Sequence, residues 1–399
     1  MRRRDFAAVA AAGLAQVRPA VGVAPDGMLL IGGRREFILG LYQLPRISDA
    51  HRAAREAGFR LVRSKPDAGQ LALARDHGLY AWIALGSVSP AKAAESRERI
   101  RSIVEQCKND PALLFWESED EPTFVWKHPR KLRIPPSQII STYRFVKELD
   151  PGRLFYLNHS PTNLVSTLRQ YNPGTDIVAT DIYPVIPRGI RESYALWPDG
   201  QQGDFLNTYI SQVGQYTDKM RQVAGPSRPV FMVLQAFAWE NLREEDRDPA
   251  MVLYPTRAQT RFMAYQAIAR GANGLLYWGI DTCPAGSAMW EDLRALGKEL
   301  SRIQSALAAE RLDLPLRVDY HDTGHSLDRG IEFILKPFEN GAVLIAVNAD
   351  KNPVEASVAG LDGFQSAKVL FEDRGVSLHS GTLRDSFDPF AARVYALHR

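Results

Sequence analysis

The chain has 399 residues, 45% hydrophobic and 24% charged, a globular composition that excludes extensive disorder and a membrane-embedded body. Its 49 basic and 46 acidic residues leave a formal charge of +3, too small a surplus for a nucleic-acid footprint. Two cysteines, Cys107 and Cys283, are too few for a disulfide scaffold or a cysteine zinc cluster.

The N-terminus begins with Arg2-Arg3-Arg4-Asp5-Phe6 and continues as a short alanine-rich apolar stretch to Ala15. This resembles a twin-arginine export signal over residues 1–15, and the stretch is too short to span a bilayer. The sequence therefore predicts a periplasmic or secreted protein with no membrane span.

From Asp26 the text reads as a hairpin running into the buried strand Phe37 to Tyr42. Helical stretches, several stopped by Gly, then alternate with short apolar strands. Those strands are Phe59 to Arg63, Leu79 to Leu85, Leu113 to Glu117, Leu154 to His159, Asp176 to Tyr183, Pro229 to Phe237 and Gly274 to Asp281. Alternating helices and buried strands imply a parallel sheet covered by helices, and eight strands close a (β/α)8 TIM barrel over residues 26–307. From about Leu316 the pattern changes to short alternating strands with turn signals, which predicts a small antiparallel β-sandwich over residues 316–399. The expected fold class is thus α/β, a barrel with an appended β-domain.

Barrel enzymes keep their chemistry at the C-terminal ends of the strands. The fourth strand ends in Glu117-Ser118-Glu119-Asp120-Glu121-Pro122, and Pro122 cannot continue a ladder. Crowded acids beside Phe115 and Trp116 lose hydration and repel one another, which raises at least one carboxyl pKa and makes Glu121 the candidate proton donor. The bland alternative is a solvated acidic turn with Asp120 starting a helix. Other strand ends contribute Tyr42, Arg63, Asn158, His159, Asp181, Tyr183, Gln235, Trp239, Glu240, Trp278 and Asp281. Polar groups and flat aromatic rings recurring there fit a carbohydrate cleft. His159 has no second histidine at ligand spacing and reads as a wall residue. A metal-dependent hydrolase built on Glu119, Asp120, Asp181 and His159 is a weaker alternative, and neither metal nor cofactor is expected.

The run Trp116 to Pro122 resembles the fourth-strand end of clan A glycoside hydrolases, where Asn-Glu-Pro carries the general acid/base. It is closer to bacterial glycosidase-like proteins with Asp-Glu-Pro in its place. Arg63, Asp181-Ile182-Tyr183-Pro184, the Gln235 strand end and the Gly271-Ala272-Asn273-Gly274 turn extend the likeness from about Asp26 to the C-terminus. The resemblance implies hydrolysis of an oligo- or polysaccharide with Glu121 as acid. It also implies a glutamate nucleophile at the end of the seventh strand, where this chain has the neutral Gln235. Glu240 and Asp181, with Asp281 behind them, are the candidates for the second carboxylate. Loss of the nucleophile supports the alternative of a non-catalytic carbohydrate-binding barrel.

Overall fold

The computed structural model describes residues 18–125, 131–187, 207–321 and 327–399. The expected export segment, residues 1–15, lies outside the described residues. No helix among them is long and apolar enough to cross a membrane.

Eight parallel strands close a barrel in chain order. They are β1 (Ile38–Leu41), β2 (Leu61–Ser64), β3 (Tyr80–Ala84), β4 (Leu113–Glu117), β5 (Leu154–His159), β6 (Ile177–Ile182), β7 (Val230–Gln235) and β8 (Gly274–Trp278). The ring closes where β8 pairs with β1. A helix follows each strand: Ala50–Glu56, Ala68–Asp76, Ala93–Cys107, Pro136–Leu149, Val165–Arg169, Gln212–Ala224, Arg257–Ala269 and Ala288–Arg302. Local chemistry sets several starts. Asp67 accepts the Gln70 N–H, and Thr256 forms a capping box with Gln259.

The two-residue period of a strand sorts side chains into two layers. Ile38, Leu61, Trp82, Phe115, Tyr156, Ala179, Phe231, Val233 and Leu276 fill the barrel, whereas Leu39, Val62, Ile83, Trp116, Phe155, Val178, Met232 and Leu275 meet the helices. The interior is aromatic, with ring centroids 5.8 Å apart for Trp82 and Phe115 and 5.4 Å for Phe115 and Tyr156. Below it, strands Val21–Val23, Leu29–Ile31 and Arg34–Glu36 form an antiparallel meander, and Leu29 and Ile31 plug the barrel floor.

β4 carries a bulge that decides what enters the site. Ala81 pairs with Leu113 but Trp82 pairs with Phe115, so Leu114 is an extra residue. Phe115 and Glu117 consequently face inward. Trp116 faces outward, its indole N–H donating to Asp150 at 3.0 Å.

Asp150 belongs to a buried knot at the N-terminal side of β4 and β5. The Arg153 guanidinium, 1% exposed, donates to Asp150 at 2.8 Å and to the carbonyls of Leu113 and Lys108. Removing it leaves two buried carbonyls without their donor and takes from Asp150 its buried cation, leaving it Trp116 and the half-buried Arg18. Arg153→Ala should cost roughly 3–5 kcal/mol, read as a lower midpoint in chemical denaturation. A loss below about 1 kcal/mol would mean that water replaces the guanidinium easily.

The C-terminal region forms two four-stranded antiparallel sheets packed face to face. One holds Arg317–Tyr320, Val354–Ala359, Thr382–Phe387 and Ser377–His379; the other holds Ile331–Phe338, Gly341–Asn348, Ala392–His398 and Ser366–Val369. The sequence reading missed Arg317–Tyr320, Ser377–His379 and Thr382–Phe387, which are short or rich in polar residues and pack few apolar side chains. The second sheet lies on helix Arg257–Ala269, where Val343, Ile345, Val347 and Val394 join the core around the barrel. That helix is buried on nearly every side because sheet and barrel cover opposite faces. Arg270 ties it to Glu332 at 2.7 Å.

Candidate active site

The inward phase of the strands brings Tyr42, Arg63, Glu117, Asn158, Asp181 and Trp278 to the top of the barrel. Above this layer opens a cleft of about 360 Å³, within the range of small-ligand sites. Asp120, Glu121, Asn158 and Asp181 give it polarity; Tyr42, Phe124, Tyr183, Trp239 and Trp278 give it aromatic walls, with Ser160 and Thr162 at one side. Tyr183 stacks on Trp278 with centroids 5.7 Å apart, and the Trp239 indole N–H donates to the Tyr183 carbonyl at 3.2 Å.

Glu121 stands in the left-handed region at φ 42°, immediately before Pro122, an arrangement unfavourable for a residue with a Cβ. Its N–H is held by the Asn158 carbonyl at 3.1 Å. This strain turns the carboxyl into the cleft. Glu121 and Asp181 share a hydrogen bond within the cleft. Burial raises both pKa values above the usual carboxylate range. The Asp181 charge adds to the rise of Glu121, and the Asp120 charge adds to both. The Asn158 amide N–H group donates to Asp120 at 2.9 Å and to Asp181 at 3.2 Å, joining the three carboxyls into one cluster.

Beneath them lies Glu117, the first acid of the fourth-strand end and not among the candidate site residues of the sequence. It shares the strand parity of Phe115, but only the bulge at Leu114 shows that this parity faces inward. Fully buried, it accepts from Arg63 at 2.9 Å and from the Trp82 indole at 3.0 Å. Burial pushes its pKa up to about 7 against the opposing pull of Arg63. Arg63 also lies over the Tyr42 ring, 5.5 Å from its centroid, and the Tyr42 and Tyr156 hydroxyls are 2.6 Å apart. Folded protein holds the Glu117 proton to about pH 7, while an unfolded glutamate releases it near 4.5. Its contribution is therefore complete below pH 4.5 and lost as pH rises to about 7, roughly 3 kcal/mol in all. Glu117→Gln should flatten that slope relative to wild type when unfolding free energies are measured across pH 4.5–7.5. Parallel curves for the two proteins would place the Glu117 titration elsewhere.

Several expected site residues lie away from the cleft. Gln235 is fully buried at the end of β7, with its amide donating to the carbonyls of Val185 at 2.9 Å and Phe237 at 3.0 Å and its oxygen accepting the Val185 N–H at 2.9 Å. It braces the β6 and β7 loops and does not face a ligand. Glu240, on the turn Trp239–Leu242, is buried and accepts the Asp248 N–H at 2.6 Å. His159 is one residue out of phase with Asn158, so it turns to the outer layer and packs 5.8 Å from Tyr171. It does not join Glu119, Asp120 and Asp181. Glu119 accepts from Ser87 at 2.6 Å and stands 3.5 Å from Arg133. Asp281 lies on the turn Ile280–Thr282, off the cleft wall. Among the described residues, no group of three or more His, Cys, Asp or Glu could hold a metal ion. Phe124, Ser160 and Thr162 were not foreseen, because loop residues carry no strand parity.

The barrel and its C-terminal sheets recur in carbohydrate-active proteins of known structure. A catalytic mutant of a GH42 β-galactosidase from G. stearothermophilus aligns with a TM-score of 0.55 at 10% identity, over 91% of this chain and 98% of that one. The α-amylase of Geobacillus thermoleovorans, complexed with acarbose, gives 0.54 at 11% identity, over 92% of this chain and 100% of that one. AmyP in complex with maltose gives 0.52 at 12% identity, over 88% of each chain. The shared fold is a closed (β/α)8 barrel followed by antiparallel β-sheets. At these identities the likeness concerns fold alone. No family model and no curated protein matches the sequence.

Proposed function

We propose that the protein hydrolyses glycosidic bonds of an oligo- or polysaccharide, with Glu121 protonating the leaving oxygen. The observation that carries this reading is the Glu121–Asp181 pair: two buried carboxyls in hydrogen-bond contact at the floor of an aromatic cleft, the Glu121 pKa raised by burial and by the Asp181 charge. A glycosidic oxygen leaves poorly until protonated, so a hydrolase must keep one carboxyl neutral near working pH. Tyr183, Trp239 and Trp278 offer apolar faces to sugar rings. Asp120 and Asn158 offer hydrogen bonds to hydroxyls.

A second reading, a carbohydrate-binding barrel without catalysis, is favoured by Gln235, because the usual place of the nucleophile holds a neutral amide committed to backbone groups. The two readings separate in a paired measurement on the full chain, hydrolysis of a broad glycan panel and calorimetric binding of the same glycans. Turnover supports the hydrolase. Binding with no turnover supports the binding module, and neither binding nor turnover removes carbohydrate from the account. If the export segment of residues 1–15 acts as proposed, the native form is periplasmic or secreted, and its substrate is extracytoplasmic glycan.

A further inference from the structure

The hydrolase reading leaves the nucleophile unassigned. An inverting enzyme needs its two carboxyls about 6.5–9.5 Å apart to hold the attacking water, and Glu121 and Asp181 are in direct hydrogen-bond contact. A retaining enzyme needs a carboxylate on the sugar face opposite the acid. The β7 end supplies only Gln235, with its amide fully engaged, and Glu240 serves its own loop. Asp120, the remaining carboxylate of the cleft among the described residues, is next to Glu121 in the chain and is tied to the same cluster through Asn158.

The cleft also has an unfilled demand. Asn158 is 3% exposed and lines the cavity; its N–H group serves Asp120 and Asp181, yet its Oδ1 has no partner among the described residues. A buried acceptor left unmade costs about 1–3 kcal/mol, so the site is built for a ligand that brings a donor. Among the described residues, no Lys, Arg or His lines the cavity.

Resting on the hydrolase reading above, we propose that the substrate is a 1,2-trans 2-acetamido-2-deoxyhexoside, and that its own acetamido carbonyl oxygen is the nucleophile at C1. The acetamido N–H donates to the Asp181 carboxylate and is shared with the adjoining Asn158 Oδ1, and the acetyl methyl has the aromatic wall. Glu121 gives its proton to the glycosidic oxygen as the C1–O bond breaks, its electron pair leaving with the alcohol. The carbonyl oxygen forms the new bond to C1, and the amide proton passes to the Asp181 carboxylate, leaving a neutral oxazoline. Water then adds at C1 while Glu121 takes its proton, and the nitrogen recovers its own as the ring opens. The net change is addition of one water, with no external reductant or oxidant.

The test compares aryl 2-acetamido-2-deoxy-β-hexosides with the matching 2-hydroxy and free 2-amino glycosides, using the full chain. A free amine can satisfy the acceptors but has no carbonyl oxygen, which separates recognition from participation. The expected result is a preference in kcat/KM of roughly 10²-fold or more for the acetamido sugar, as for a site built around a substrate N–H. Turnover should fall steadily when the acetyl is replaced by mono-, di- and trifluoroacetyl, whose carbonyl oxygens are weaker nucleophiles. A thiazoline analogue of the cyclic intermediate should bind by calorimetry more tightly than the free acetamido sugar. Equal or faster hydrolysis of the hydroxy or amino glycosides, or a rate indifferent to fluorination, overturns the proposal while the hydrolase reading stands. Sugar binding with no hydrolysis of any glycoside overturns both.

Discussion

Glu121→Gln should lower kcat on glycosides with poor leaving groups roughly 10²–10⁴-fold, the usual share of general acid catalysis, with KM little changed. The substitution keeps the side chain's length and a donor toward Asp181 but removes the transferable proton. Activated aryl glycosides, whose leaving groups need less protonation, should lose much less. The pH profile gives an independent readout. Burial and the Asp181 and Asp120 charges hold the Glu121 proton well above the ordinary carboxylate range, so wild-type activity on poor leaving groups should persist through neutral pH and fall on the alkaline side. In the variant that alkaline limb should disappear. A variant as active as wild type on every substrate would remove Glu121 from the acid role, whatever else the cleft binds.

His159 should dominate loss of stability in acid. Its ring is fully buried, neither nitrogen has a hydrogen-bond partner among the described groups, and burial depresses its pKa to about 3, with Lys219 adding to the effect. An unfolded histidine takes up its proton near 6.5, while the folded one resists to about 3. The unfolded state therefore binds more protons in this window. The neutral-histidine contribution is complete above pH 6.5 and lost as pH falls toward 3, on the order of 5 kcal/mol in all. Glu117 changes in the opposite sense between pH 7 and 4.5, so the effect must be read as a difference between proteins. In His159→Phe, which fills the site with a ring that cannot titrate, the gap in unfolding free energy from wild type should shift in favour of the variant as pH falls from 7 to 4.5. A gap independent of pH would show that the histidine is solvated in the folded state.

The chain by itself determined the architecture, for a physical reason. Buried parallel strands must be apolar runs, and their crossover helices must repeat between them, so alternation from Phe37 onward leaves little besides a closed barrel. The acidic strand end was equally legible, since four acids before Pro122 have no place inside a ladder. Tertiary structure alone decided which of the marked residues meet. The bulge at Leu114 sets the phase that sends Glu117 inward to Arg63, and an unbroken apolar run such as Leu113–Trp116 has no alternation from which to read it. Asn158 and His159 are neighbours in sequence, but strand parity puts one in the cleft and the other against Tyr171. Gln235 carries the inward parity of Val233, yet loops it cannot foresee capture its amide from Val185 and Phe237. The same holds for Glu240, which its own turn claims through Asp248. Residue type and periodicity are local, and they fix layers. Which carboxyl faces which depends on loop paths and register across the barrel, and these are settled only when the ring closes.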